Sequence, residues 1–181
     1  MAYESSGAPD YYNIDDLLTE EHLLIRQTMR DFVKREISPY IEQWAQDAHF
    51  PSEIVKKFGD VGAFGPTIPT VYGGGGLDYI SYGIIMQEIE RGDSGMRSTA
   101  SVQGSLVMYP IYKYGSEEQR KKYLPKLASG EWLGCFGLTE PDFGSNPGGM
   151  MTNIKDMGDH YLLNGSKMWI SNSPECQVAV V

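Results

Sequence analysis

One cation stands in a long neutral stretch. In GDSGMRSTASVQGSLVMYPIYKYG, residues 92–115, Arg97 is the only charged residue between Asp93 and Lys113. A guanidinium keeps its proton in a protein and presents a planar fork that takes a carboxylate through two hydrogen bonds. Buried without an anion, such a charge is strongly destabilising. Arg97 therefore calls for an acid: either Glu90, two helical turns earlier if the chain stays helical, or a carboxylate that arrives with a ligand. The other chemistry-bearing stretches are LTEPDFGSNPGG (138–149) and NGSKMWISNS (164–173), both rich in hydroxyls, amides and turn residues. A site in this chain is expected from the helix around Arg97 and the polar loop after residue 138. Taken alone, Trp169 reads as a core residue of a strand.

Several familiar chemistries have no support. His22, His49 and His160 are far apart in no ligand spacing, and neither Cys135 nor Cys176 sits in a CxxC pair, so no zinc site is expected. There is no GxGxxG fingerprint and no GxSxG elbow. The four glycines 73–76 are not followed by Lys-Ser or Lys-Thr and follow no buried strand, so they read as a flexible turn and not as a phosphate loop.

These residues need elements to hold them. The 181 residues suit one ordinary domain, or a small domain plus part of another, and a hydrophobic fraction of 41% supports a core. The first half has helical period. Thr19 is a candidate N-cap, and Ile25, Met29, Phe32, Val33 and Ile37 share a face. Ser38-Pro39 breaks that helix. Residues 51–62 and 79–92 give further helices, the 92–115 stretch reads as a buried helix beside the latter, and Ser116 with Gln119 forms a capping box. Near Trp132 the pattern changes. WLGCFGL is a short strand, residues 152–172 alternate with turn signals at Gly158-Asp159 and Asn164-Gly165, and QVAVV is a strand in progress. The expectation is antiparallel β structure, with the chain ending inside its second domain.

A net charge of −9 argues against nucleic acid or an anionic membrane as main partner, while leaving room for a local basic pocket. Two cysteines suit a reducing compartment, and no signal segment or apolar run of membrane-spanning length is present. A soluble, cytoplasmic protein is the expectation.

Two of these stretches carry a resemblance. GCFGLTEPDFGSNPGGM resembles the flavin-contacting loop of acyl-CoA dehydrogenases, whose usual form is Thr-Glu-Pro-x-x-Gly-Ser-Asp. NGSKMWISNS resembles their second flavin stretch, Asn-Gly-x-Lys-x-Trp-Ile-Thr. The order and spacing are the family's, and the helical half is similar as well. Within the family, RSTASVQGSLVMYPIYKYGSEEQRKKYLP resembles the glutaryl-CoA dehydrogenases.

The resemblance implies a multi-domain fold of α and β parts. A short N-terminal extension (1–17) precedes an all-α helical domain (18–131) and an incomplete antiparallel β-barrel middle domain (132–181), with the C-terminal helical domain absent. It implies FAD as cofactor, held by Phe136, Leu138, Thr139, Trp169, Ile170 and Ser171, and an acyl-CoA substrate contacted by Arg97, Ser98 and Ser145. Arg97 and Ser98 would hold the distal carboxylate of glutaryl-CoA. Ser171 replaces the usual Thr but keeps the hydroxyl; Asn146 replaces the common Asp and puts a bracing role there in doubt. The implied reaction is α,β-dehydrogenation of a thioester, with decarboxylation to crotonyl-CoA for a glutaryl substrate, an electron-transfer flavoprotein as acceptor, and a homotetramer in full-length form. The catalytic base is expected beyond Val181, so no catalytic residue is assigned in this chain, which is expected to be inactive alone. The alternatives are a dehydrogenase for another acyl chain, or a non-catalytic helical interaction module.

Overall fold

The structure is a computed structural model that describes residues 11–181. Residues 1–10, the first part of the expected N-terminal extension, lie outside the described residues. Seven α-helices lead into four short strands among the described residues: α1 (Glu20–Glu36), α2 (Ile41–Gln46), α3 (Glu53–Asp60), α4 (Tyr79–Gly92), α5 (Ser94–Ser101), α6 (Tyr109–Tyr114), α7 (Glu117–Ala128), β1 (Gly134–Phe136), β2 (Asn153–Asp156), β3 (Tyr161–Asn164) and β4 (Val178–Val180).

The helix ends follow from local chemistry. The Thr19 hydroxyl accepts from the His22 amide at 3.2 Å, and His22 Nδ1 accepts from the Thr19 amide, so a histidine completes the box at the start of α1. The expected Ser116–Gln119 box caps α7. Asp78 caps α4 through the Ser81 amide and also meets His22 Nε2 at 3.0 Å, which joins the starts of α1 and α4. Their packed faces are locked further along. Glu88, 1% exposed, accepts from Arg30 Nε at 3.0 Å and Arg30 Nη2 at 2.9 Å. Around this pair, Phe32, Ile37, Ile54, Phe58, Phe64, Ile68, Ile89, Met108, Leu124 and Leu127 form one continuous core.

The glycine turn is not loose. Gly73 and Gly76 have φ of +83° and +64°, and the amides of Gly74, Gly75, Gly76 and Leu77 bond to carbonyls of Pro69, Gly65, Ile68 and Pro66. A Cβ on Gly74 would lie 2.1 Å from the Ile68 carbonyl oxygen. The expected turn is present, but packed against the preceding loop. Its amides are spent on protein carbonyls, so none is left in a nest for an anion.

The 94–114 run is helical throughout, as expected, but changes gauge. Between α5 and α6 the residues Val102–Met108 form a π-helical stretch. Such wide turns are rare and cluster where a side chain is placed for a purpose. Here the side chain is Gln103, fully buried, which donates to the carbonyls of Leu127 (2.8 Å) and Trp132 (2.9 Å) and accepts from the Gly134 amide (2.7 Å). One residue thus fixes the end of α7 and the start of β1.

The strands hold two corrections. β2 and β3 form the expected antiparallel hairpin around Gly158, but β1 and β4 pair in parallel, Gly134 opposite Val178. The connection between them contains the whole β2–β3 hairpin, which is long enough for the crossover that parallel strands need. The second expected turn, at Asn164-Gly165, ends β3 without starting another strand. Trp169 (φ +59°) and Asn172 (φ +68°) are left-handed, which a β ladder does not tolerate, so Trp169, Ile170 and Ser171 lie in an irregular segment and not on a strand. No helix among the described residues is long and apolar enough to cross a membrane.

Candidate functional site

Three pieces of chain meet at the junction of helices and strands: the end of β1 with the loop after it, the 166–172 segment, and α5. The first two are bonded directly. The Met168 amide donates to the Thr139 carbonyl at 2.9 Å, and Lys167 Nζ donates to the Leu138 carbonyl at 3.0 Å. Lys167 Nζ also lies 2.9 Å from Glu140 Oε1. Glu140 is only 4% exposed and accepts from the amides of Met151 (2.7 Å) and Thr152 (2.9 Å). Hydrogen bonding from Thr152, then from the Met151 amide, and then from Lys167 outweighs its burial and holds the Glu140 carboxyl at about 2. It is therefore an ionised clamp that shapes the 138–152 loop.

The third piece is tied by Asn172. Its Nδ2 donates to the Gly134 carbonyl on β1 at 3.1 Å and approaches the Thr99 carbonyl on α5 at 3.4 Å. The left-handed backbone at Asn172, a conformation asparagine adopts readily, aims the amide at both. Two stretches separated by about a sixth of the chain thus form one surface with α5 beneath it.

The residues expected from the sequence fall unevenly onto this surface. Phe136 ends β1 half-buried, opposite Val180, and Leu138 and Thr139 follow with their carbonyls committed to Lys167 and Met168. Trp169 is 85% exposed, Ile170 is half-buried, and Ser171 is exposed in the next turn. The exposed indole overturns the core reading of Trp169: a left-handed backbone beside the Met168–Thr139 bond turns the ring outward. Ser145 is exposed on the 141–149 loop, outside the bonded group. Ser98 is half-buried on α5, where its carbonyl accepts from Ser101 Oγ.

Arg97 has found the internal acid. Its Nε donates to Glu90 Oε2 at 2.6 Å and its Nη1 to Ser101 Oγ at 3.2 Å. Arg97, and then the Ser94 hydroxyl, hold the Glu90 carboxyl below the usual range. These bonds use two of the five N–H donors of the guanidinium, whose side chain is 35% exposed. A cavity of about 310 Å³ further along the same helical run is lined by Pro66, Tyr79, Tyr82, Ser105 and Tyr109 among others; neither Arg97 nor Ser98 lines it.

Gln103, Glu140, Lys167 and Asn172 were not assigned roles from the sequence. The one available signal was Gln103, an amide in the middle of an otherwise small and apolar helix. The other three partner groups are distant in sequence or are backbone atoms, which leave no trace in residue type. Among the described residues no cluster of His, Cys, Asp and Glu could hold a metal ion.

Comparison with known proteins matches two family models: acyl-CoA dehydrogenase, N-terminal domain, over residues 19–131, and acyl-CoA dehydrogenase, middle domain, over residues 135–181. The chain is 43% identical over 170 residues to a glutaryl-CoA dehydrogenase of Desulfococcus multivorans, covering 92% of this chain and 44% of that protein. It is 42% identical over 164 residues to the human mitochondrial short-chain specific acyl-CoA dehydrogenase, covering 91% and 40%. A solved glutaryl-CoA dehydrogenase from Mycobacterium smegmatis in complex with FADH2 superposes with a TM-score of 0.91 at 49% identity, covering 94% of this chain and 44% of that one. The chain therefore spans less than half the length of the relatives it matches.

Proposed function

The chain belongs to the acyl-CoA dehydrogenase family, and from that premise we propose that it forms the helical and middle-domain part of an FAD-dependent enzyme that dehydrogenates an acyl-CoA thioester between Cα and Cβ, with glutaryl-CoA as substrate. The observation that carries the proposal is the bonding of the Thr139 and Trp169 stretches into one surface through Lys167 and Met168, over the helix that bears Arg97.

The residues present fit a flavin ring. Such a ring needs polar backbone groups along one edge and an apolar cover on a face. The backbone at 136–139 and 168–171 supplies the first, and the outward indole of Trp169 the second. FAD, when bound, supplies acceptance of a hydride. Phe136, Leu138, Thr139, Trp169, Ile170 and Ser171 would hold and orient it, with the Thr139 and Ser171 hydroxyls as donors. Ser145 would contact the acyl-CoA, Ser98 would hydrogen-bond the distal carboxylate, and Arg97 would take that carboxylate on the donors that Glu90 and Ser101 leave unspent.

No glutamate of these residues is assigned the base that removes the α-proton. Glu90 is bound to Arg97 and Ser94, Glu88 to Arg30, and Glu140 to Lys167 and two amides. A glutaryl substrate would go on to lose carbon dioxide and leave crotonyl-CoA. An electron-transfer flavoprotein is the acceptor that the family resemblance supports, a homotetramer the assembly, and the cytoplasm the setting, where thiols stay reduced.

One observation favours a second reading. Arg97 is already neutralised by Glu90, so a structural Arg97 and an uncharged short acyl chain are a consistent alternative, in keeping with the similarity to the human short-chain enzyme. An anaerobic titration of the full-length protein, following the flavin absorbance, decides. Bleaching by glutaryl-CoA and not by butyryl-CoA supports the first reading; the reverse supports the second; absence of a flavin band from purified full-length protein would refute both.

A further inference from the structure

We propose that Cys135 and Cys176 form a peroxide-sensitive modification site, a dithiol that closes to an intramolecular disulfide and ties β1 to the segment entering β4. The two sulfurs lie 3.4 Å apart although the residues are far apart in sequence. Both are free thiols; Cys135 is buried and Cys176 is partly open to solvent. This accessibility difference gives the pair an order of reaction.

The surroundings hold the thiols together. On the Cys135 side, the Gly134 amide donates to Gln103 Oε1 at 2.7 Å, and the Gly134 carbonyl accepts from Asn172 Nδ2 at 3.1 Å. On the Cys176 side, the next residue is bonded twice to Leu133: its amide donates to the Leu133 carbonyl, and its Oε1 accepts from the Leu133 amide, both at 2.8 Å. Cys176 Sγ also points to the Ser173 carbonyl at 3.4 Å. These bonds fix the backbone on both sides of the pair, and from 3.4 Å the sulfurs need to approach by only about 1.4 Å to reach a disulfide bond length.

The step balances with a hydroperoxide as oxidant. The Cys176 thiolate attacks the O–O bond of hydrogen peroxide, forming a sulfenic acid and releasing hydroxide, which takes a proton to become water. The Cys135 sulfur then attacks the sulfenic sulfur; the S–S bond forms, the S–O bond breaks, and the Cys135 proton leaves with the hydroxyl as a second water. Two thiols are oxidised by two electrons in total and one peroxide is reduced. Burial first, and the neighbouring Cys176 second, push the Cys135 thiol up to about 11. It is therefore protonated at neutral pH, which leaves Cys176 to react first; what suits Cys135 to resolve its neighbour is the 3.4 Å separation, and it gives up its proton as it attacks. The inference rests on the strand pairing and holds whichever acyl chain the protein uses.

The test treats the full-length protein with a few equivalents of hydrogen peroxide, alkylates the remaining thiols, and maps the peptides without reduction. The expected result is a Cys135–Cys176 cross-linked peptide, two hydrogens lighter than the sum of its parts and released by dithiothreitol, with alkylation lost at both positions together. Cys135→Ser should stop Cys176 at a sulfenic acid that dimedone traps; the wild-type map stands without this variant if it does not fold. Cys176 found as sulfinic or sulfonic acid in the wild type with Cys135 still alkylated, a cross-link between two molecules, or both thiols alkylated after excess peroxide would each overturn the proposal.

Discussion

A carboxylate that must stay ionised inside a loop makes that loop sensitive to acid. Glu140 accepts three hydrogen bonds in the folded chain and is held at about 2, against about 4.3 for a glutamate in an unfolded chain. Because the folded value is the lower one, the unfolded chain binds the proton first as pH falls. The stabilisation is complete above about pH 5 and is lost progressively toward about pH 2. Glu140→Gln removes this dependence. Denaturant midpoints measured between pH 6 and pH 3.5 should fall more steeply for the wild type than for the variant; parallel slopes would show that Glu140 does not titrate as its contacts require. Arg97 is the residue on which the substrate reading turns. Charge-assisted hydrogen bonds contribute about 1.5–3 kcal/mol each, so losing two of them in Arg97→Ala should lower kcat/KM for glutaryl-CoA by about 10²–10⁴-fold. The same change should leave butyryl-CoA within a few-fold, as the carboxylate is missing there. Equal losses on both substrates would mean that Arg97 only braces α5 against Glu90.

At the scale of elements, the helices were legible because their signals are local. Thr19, Ser116 and Gln119 lie within one turn of the groups they cap, and Met29, Phe32 and Val33 recur at the helix period. The parallel β1–β4 pair was not legible, since pairing direction depends on a long connection and leaves no mark in two short apolar runs. The π-helical stretch was hidden for the same reason: its signature is a tertiary demand, the need to point Gln103 at Leu127, Trp132 and Gly134 together. The positions resembling flavin contacts were legible as strings, whereas the clamps that assemble them, Glu140, Lys167 and Asn172, act largely on backbone atoms. Gln103→Leu keeps the size and removes all three bonds, stranding the Trp132 carbonyl and the Gly134 amide, while the Leu127 carbonyl keeps the Gly130 amide at 3.3 Å. At about 1–3 kcal/mol for each unsatisfied group, partly relieved by relaxation, the variant should lose about 3–5 kcal/mol in urea unfolding. A loss below about 1 kcal/mol would show that water or a backbone shift replaces the glutamine.

At the scale of the whole molecule, the distribution of exposure separates the two parts. The helical part encloses its large side chains, while the β2–β3 hairpin exposes Ile154, Tyr161, Leu162 and Leu163, with relative exposures from 50% to 68%. Every residue of both strands is exposed, so the hairpin has no face packed on a core, and a two-stranded ribbon of this kind has little stability of its own. This chain covers only 44% of the length of the Desulfococcus multivorans and Mycobacterium smegmatis relatives. Residues 1–181 expressed alone should therefore fold in two tiers. The amides of α1, α4 and α7 should exchange slowly with solvent hydrogen, while those of β2 and β3 exchange at rates close to an unstructured peptide. The family resemblance implies that the base and much of the FAD site belong to a C-terminal helical domain, so the isolated chain should also hold FAD poorly and give no turnover with glutaryl-CoA. In the full-length protein the hairpin amides should be protected along with the flavin. Protection of β2 and β3 in the isolated chain, together with stoichiometric FAD and turnover, would place the whole active site within these residues and overturn the assignment of the base elsewhere.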